Sequence, residues 1–222
     1  MFDSIDSVRS FLTAVKERDH SQSTASAAEA IREIKKRAVS DGDDQKAKEL
    51  WCLEETLKAQ STYVQAFGCI RHGDYYRGWC ALEQAEITLH HMRQHFHQQW
   101  PDYSLDFVEK HIERWQSVYP YKYFISPEIL AHEKECTVCN RKMAIRNHCG
   151  HIVGEIYGGE IALRRITNGD VLGIAIMVEK PVQKYSVLFL TDSETGSRAD
   201  KYNYAVVEFV ARRVCVFLGE WI

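Results

Sequence analysis

The sequence predicts an α+β protein: an N-terminal antiparallel helical bundle, then a small domain of short strands and a C-terminal helix gathered around a cysteine and histidine cluster. Two observations carry this. Up to about residue 118, apolar residues recur at helical spacings of three and four, and Pro101 is the only proline. Beyond that point the rhythm gives way to prolines and tyrosines, the stretch CTVCNRKMAIRNHCGH, and two β-rich apolar runs. The change falls near residues 118 to 126, so the chain divides into a helical domain, 1–122, and a second domain, 123–222.

The helical elements follow in order. Asp3 or Ser4 caps a first helix whose stripe is Ile5, Val8, Leu12 and Val15. A second helix, about 24 to 39, starts in SQSTAS and stops at SDGDD, where Gly42 breaks it and Asp43 or Asp44 caps the next. The third is long and places Leu50, Leu53, Leu57, Val64, Phe67 and Ile70 broadly on one side. It ends near HGD, and Asp74 caps a fourth helix close behind it, which predicts a helical hairpin. A fifth helix, about 104 to 118, repeats Leu105, Val108, Ile112 and Trp115. The segment GDYYRGWCALEQAEITL has a tetratricopeptide-like look, but no second copy follows at a period of about 34 residues.

In the second half, Ser126, Pro127 and Glu128 read as a helix start, so a short helix over about 127 to 134 is expected to lead into Cys136. After the cluster, GEIYGGEIALRRI reads as a strand, a glycine turn and a further strand or helix. VLGIAIMVE at 171 to 179 and KYSVLFLT at 184 to 191 read as strands, and DSETGSRADK as a polar loop. The final segment, with Val206, Phe209, Val210, Val216 and Phe217 as its stripe, reads as a helix.

Composition narrows the function classes. With 222 residues, 45% hydrophobic and 27% charged, the chain is long enough to bury a core in each half. No apolar run of about 18 residues exists, and the opening MFDSIDSVRSFL lacks the pattern of a signal peptide, so a cytoplasmic, non-membrane protein is expected. Seven cysteines, an odd number, argue against a disulfide framework. The net charge of -3 gives no global attraction to nucleic acid, which would need a local basic patch.

The cluster is the strongest chemical signal. Cys136 and Cys139 form a CxxC knuckle, and Cys149 and His151 a CxH pair. Two thiolates separated by two residues suit adjacent corners of a tetrahedron around zinc, and a second close pair completes it. His148 competes as the fourth ligand, but one residue between Cys149 and His151 lets both turn to the same point. A set of four ligands leaves no open position, so the zinc is expected to be structural rather than catalytic.

Other readings of the cluster fare worse. A thioredoxin-like redox pair would sit between a strand and a helix, a context that does not precede Cys136. Cysteines acting only as buried hydrophobes do not account for the adjacent His-Cys-Gly-His. An HNH nuclease would need a further histidine downstream, and none follows His151. The deaminase signature is missing too, because Glu135 stands where proline is required. Elsewhere, His91 and His95 lie one helical turn apart, but without the partners of a di-iron bundle or a zinc protease they read as solvent-facing residues near a helix end.

Arg141, Lys142 and Arg146 inside the cluster loop are the possible nucleic-acid contacts, with Arg164 and Arg165 downstream. No aromatic platform interleaves with the loop cations, which favours a solvated loop. Gly154, Gly158 and Gly159 fit neither a P-loop nor a dinucleotide fingerprint and read as a tight turn.

From Cys136 to about Thr191 the chain resembles a zinc-knuckle module of bacterial and phage-encoded proteins. There a CxxC pair, a CxH pair, a glycine, a YxGE-like turn and an apolar strand follow one another, here Cys136, Cys139, Cys149, His151, Gly154, then Tyr157, Gly159 and Glu160, then 171 to 179. The resemblance implies zinc at those four ligands and a phage-related or mobile-element setting. The function expected is a zinc-stabilised interaction or regulatory protein that binds another protein. A nucleic-acid binder using the loop cations is the alternative. An enzyme comes third, because no nucleophile, base and orienting group can be named together.

Overall fold

The computed structural model describes residues 2, 4–14, 22–117, 123–144, 146–178, 189–191 and 198–200. It is a mixed α+β chain, helical first and then an antiparallel sheet region of short and long strands. Two compact units emerge, one of residues 1–120 with 156–160, the other of 121–155 with 161–222. Among the described residues no helix is long and apolar enough to cross a membrane.

The helical unit contains α1 (Ile5–Thr13), α2 (Gln22–Ser40), α3 (Asp44–Arg71), α4 (Tyr75–Phe96), a 3-10 segment (His97–Tyr103) and α5 (Leu105–Ser117). Side chains cap the starts where the sequence offers them. Ser4 accepts from the Ser7 amide, Asp43 from Lys46 at 3.0 Å and Asp74 from Arg77 at 3.2 Å. In α1, Val8 and Leu12 are buried as expected, while Val15 lies outside the described residues. In α5, Leu105, Val108 and Ile112 are buried and Trp115 is half-buried, its ring edge against Phe67.

α3 is the centre of this unit and packs against α1, α2, α4 and α5. It therefore buries residues around most of its circumference, including Leu50, Trp51, Cys52, Leu53, Thr56 and Gln60, rather than a single stripe. Gln60 makes that burial tolerable by donating from Nε2 to the carbonyls of Leu12 at 3.2 Å and Tyr103 at 2.9 Å. The end of α1 and the 3-10 segment are thereby tied to one side chain.

The α3–α4 hairpin turns at His72–Asp74, with Gly73 at φ +80°. Just inside α4, Gly78 lets the two helices close up. A Cβ there would stand 2.6 Å from Ile70 Cγ1 and 3.1 Å from the Ala66 carbonyl oxygen.

The second unit is organised by β1 (Tyr123–Cys136) and β5 (Arg164–Val178), an antiparallel ribbon in register from Tyr123 opposite Val178 to Cys136 opposite Arg164. β2 (Lys142–Met143) joins the outer side of β1 only at Lys134 and Glu135, giving the order β2-β1-β5. β3 (Ile156–Tyr157) and β4 (Glu160–Ile161) make a tight hairpin, and β6 (Phe189–Thr191) pairs with β7 (Arg198–Asp200).

The helix expected over 127 to 134 is therefore a strand. The Ser-Pro-Glu signal is local, and it loses to pairing along the whole of β5, in which Pro127 faces Ile174 and Ile129 faces Val171. Pro127 fits because, among the described elements, no strand pairs with the other side of β1 at that level. The strand expected at 171 to 179 begins earlier, at Arg164. Within the expected polar loop 192 to 201, residues 198–200 form β7. The C-terminal helix and most of the strand expected at 184 to 191 lie outside the described residues.

Candidate metal centre

β1 ends at Cys136 and the chain turns at once. The amide of Asn140 returns to the carbonyl of Cys136 at 2.9 Å, and the Cys136 amide donates to Arg141 at 3.1 Å. Asn140 takes the left-handed conformation, φ +53°, which asparagine tolerates better than most residues. This turn brings Cys139 back beside Cys136. Gly150, at φ +85°, does the same for Cys149 and His151.

The four donor atoms of Cys136, Cys139, Cys149 and His151 all lie within 4.8 Å of one another, the one such group of metal-ligating side chains among the described residues. Cys136 Sγ and His151 Nδ1 are 3.5 Å apart. Tetrahedral zinc with bonds of about 2.3 Å to sulfur and about 2.0 Å to nitrogen requires an S···N edge of about 3.6 Å. The donor set thus has the size and chemistry to hold a metal ion. His148 is exposed and is not part of the group.

Main-chain amides are aimed at the sulfurs. Those of Val138 and Cys139 point to Cys136, whose thiol is nonetheless pushed up by burial. The His151 amide points to the more open Cys149 and is the main cause that brings its thiol down to about 7. Such N–H···S contacts favour the thiolate, the form that binds metal.

One supporting residue carries no sequence signal. Thr137, between the first two cysteines, accepts from the Leu163 amide at 2.8 Å and donates to the Ile161 carbonyl at 3.0 Å. Its own amide donates to Leu163 at 3.1 Å. The cluster is thereby fastened to the chain that enters β5. A hydroxyl in the middle of CTVC reads as a solvated turn residue, and only the ladder reveals its partners.

The loop cations are dispersed. Lys142 Nζ is held by Glu133 at 3.1 and 3.2 Å, and Arg165 by Glu135 and Asn140, each at 3.2 Å. Arg141 and Arg146 are exposed, and Arg164 is half-buried. His91 and His95 correct the expectation of solvent-facing side chains. Both are half-buried, His95 with its ring edge on Trp51, and burial brings His91 down to about 4. They join no metal-ligating group among the described residues.

Cys52, Cys69, Cys80, Cys136, Cys139 and Cys149 form no disulfide among the described residues, and Cys215 lies outside them. No protein-family model, no curated protein and no solved structure matches this chain.

Proposed function

We propose that this is a cytoplasmic, zinc-stabilised interaction or regulatory protein whose partner is another protein, and that Cys136, Cys139, Cys149 and His151 bind a structural zinc. Three thiolates and one imidazole fill all four corners of a zinc tetrahedron, leaving no corner for a substrate or an activated water. The ion, when bound, supplies cross-linking of the two knuckles and no reaction step. The similarity to zinc-knuckle modules of bacterial and phage-encoded proteins points the same way.

One observation favours protein binding. The ribbon that leads out of the cluster exposes Val171 at 64%, Leu172 at 59% and Ile174 at 65%, three large apolar side chains along one strand. The second reading, a nucleic-acid binder, rests on the exposed Arg141 and Arg146 alone, since Lys142 is already paired.

The test compares wild type with a Val171→Asp, Ile174→Asp double variant that retains its zinc, using proteins captured from the native host. Loss of a specific protein from the variant is the expected result. Capture that is unchanged by the double variant but falls with salt and with Arg141→Ala, Arg146→Ala would establish the nucleic-acid reading instead.

A further inference from the structure

The turn between β3 and β4 belongs to the helical unit, although its chain emerges directly from the metal-binding loop. Gly158 and Gly159 both have positive φ, +54° and +72°. Gly159 is buried, and a Cβ on it would stand 3.0 Å from Lys35 Cδ and 3.1 Å from Lys35 Cγ. The aliphatic stem of Lys35 thus lies across the bare glycine.

The Lys35 side chain is only 13% exposed, so its ammonium needs partners. It has Glu54 at 2.6 Å, the Gly159 carbonyl at 3.1 Å and, further off, Glu160 at 3.9 Å. The hairpin therefore supplies one of the acceptors that make this buried charge acceptable. On the other side, the base of the hairpin is closed by its own backbone and held by Thr137 of the cluster segment. Gly154 donates to Ala162 and Ala162 to Glu155, both at 2.8 Å, and Thr137 grips Ile161 and Leu163. The ligand His151 lies just ahead of this base in the chain, and Thr137 lies between two ligands.

We propose that Lys35, a residue of α2, is a positioning residue for the metal centre: by holding the Gly159 carbonyl it fixes the β3–β4 hairpin and so pre-organises the ligand loop. Metal binding in turn stabilises the hairpin on the helices. This rests on the zinc reading above. Coupling of this kind is reciprocal, so whatever factor metal adds to hairpin docking, loss of the Lys35 contact must remove from metal affinity.

The test is competition of zinc against a chromophoric chelator for the full-length wild type, Lys35→Met and Lys36→Met. Lys36 is an exposed lysine of the same helix, ion-paired with Glu33 at 2.6 Å. Lys35→Met should weaken zinc binding by about 5-fold or more, the low end of ordinary coupling between sites, and Lys36→Met should match wild type. A Lys35→Met affinity equal to wild type overturns the proposal.

A second measurement uses wild type alone, in case the variant does not fold. Chelation should speed amide hydrogen exchange across 153–163 as well as across 136–151. An increase confined to 136–151 overturns the proposal while leaving the zinc site intact. A wild type that binds no zinc removes both readings, and so is distinct from either outcome.

Discussion

Cys136 Sγ and His151 Nδ1 face each other at 3.5 Å, within a group whose other donors, Cys139 and Cys149, lie within 4.8 Å. His148, which directly precedes Cys149, is exposed and apart from the group. His151→Ala should therefore lower zinc affinity by about 100-fold or more, one ligand's share of a site worth roughly 10 to 16 kcal/mol. His148→Ala should leave it unchanged, and chelator competition on both variants decides between them.

Gly78 provides a test of the helical hairpin. Alanine would improve helix propensity by about 1 kcal/mol, but its methyl has no room beside Ile70 and the Ala66 carbonyl, and overpacking costs about 1 to 3 kcal/mol. Gly78→Ala is thus expected to lower stability by about 1 kcal/mol in urea unfolding. Gly68→Ala, with open space around its position, should raise it.

Burial of His91, with His90 and Lys58 adding to the effect, lowers its pKa from 6.5 to about 4. The folded state then binds fewer protons than the unfolded chain between those values. Stability is complete above about pH 6.5 and falls as pH drops towards 4, by about 2 kcal/mol at pH 5. A His91→Leu variant should lose less stability than wild type between pH 7.5 and pH 5, as measured by denaturant midpoints. An equal loss would mean that His91 takes up no proton deficit on folding.

Gln60 is 1% exposed, and its two donated bonds join α3 to Leu12 and Tyr103. Gln60→Leu removes both and leaves two buried carbonyls short of a donor, at about 1 to 3 kcal/mol for an unsatisfied group. The measured midpoint should drop accordingly, and hydrogen exchange should rise first in α1 and the 3-10 segment.

The sequence showed the helices clearly because their signals are local: caps at Ser4, Asp43 and Asp74, and apolar stripes at fixed spacing. The four clustered side chains were equally legible, since short CxxC and CxH spacings bring side chains together by local turns. The region of 127 to 134 misled because Pro127 and Glu128 announce a helix, whereas the strand is set by pairing with residues 164 to 178. Lys35 and Gly159 were invisible for the same reason. They are 124 residues apart, and a lysine on a helix ordinarily reads as a solvated charge.

Elemental analysis of the purified full-length chain beside its Cys136→Ser and Cys149→Ser variants tests whether the cluster holds a structural zinc. One tightly held zinc per wild-type chain is expected, lost in both variants together with the fold of the second unit. A wild-type chain that carries no zinc after purification and refuses it in titration, or variants that retain a full equivalent, would contradict it.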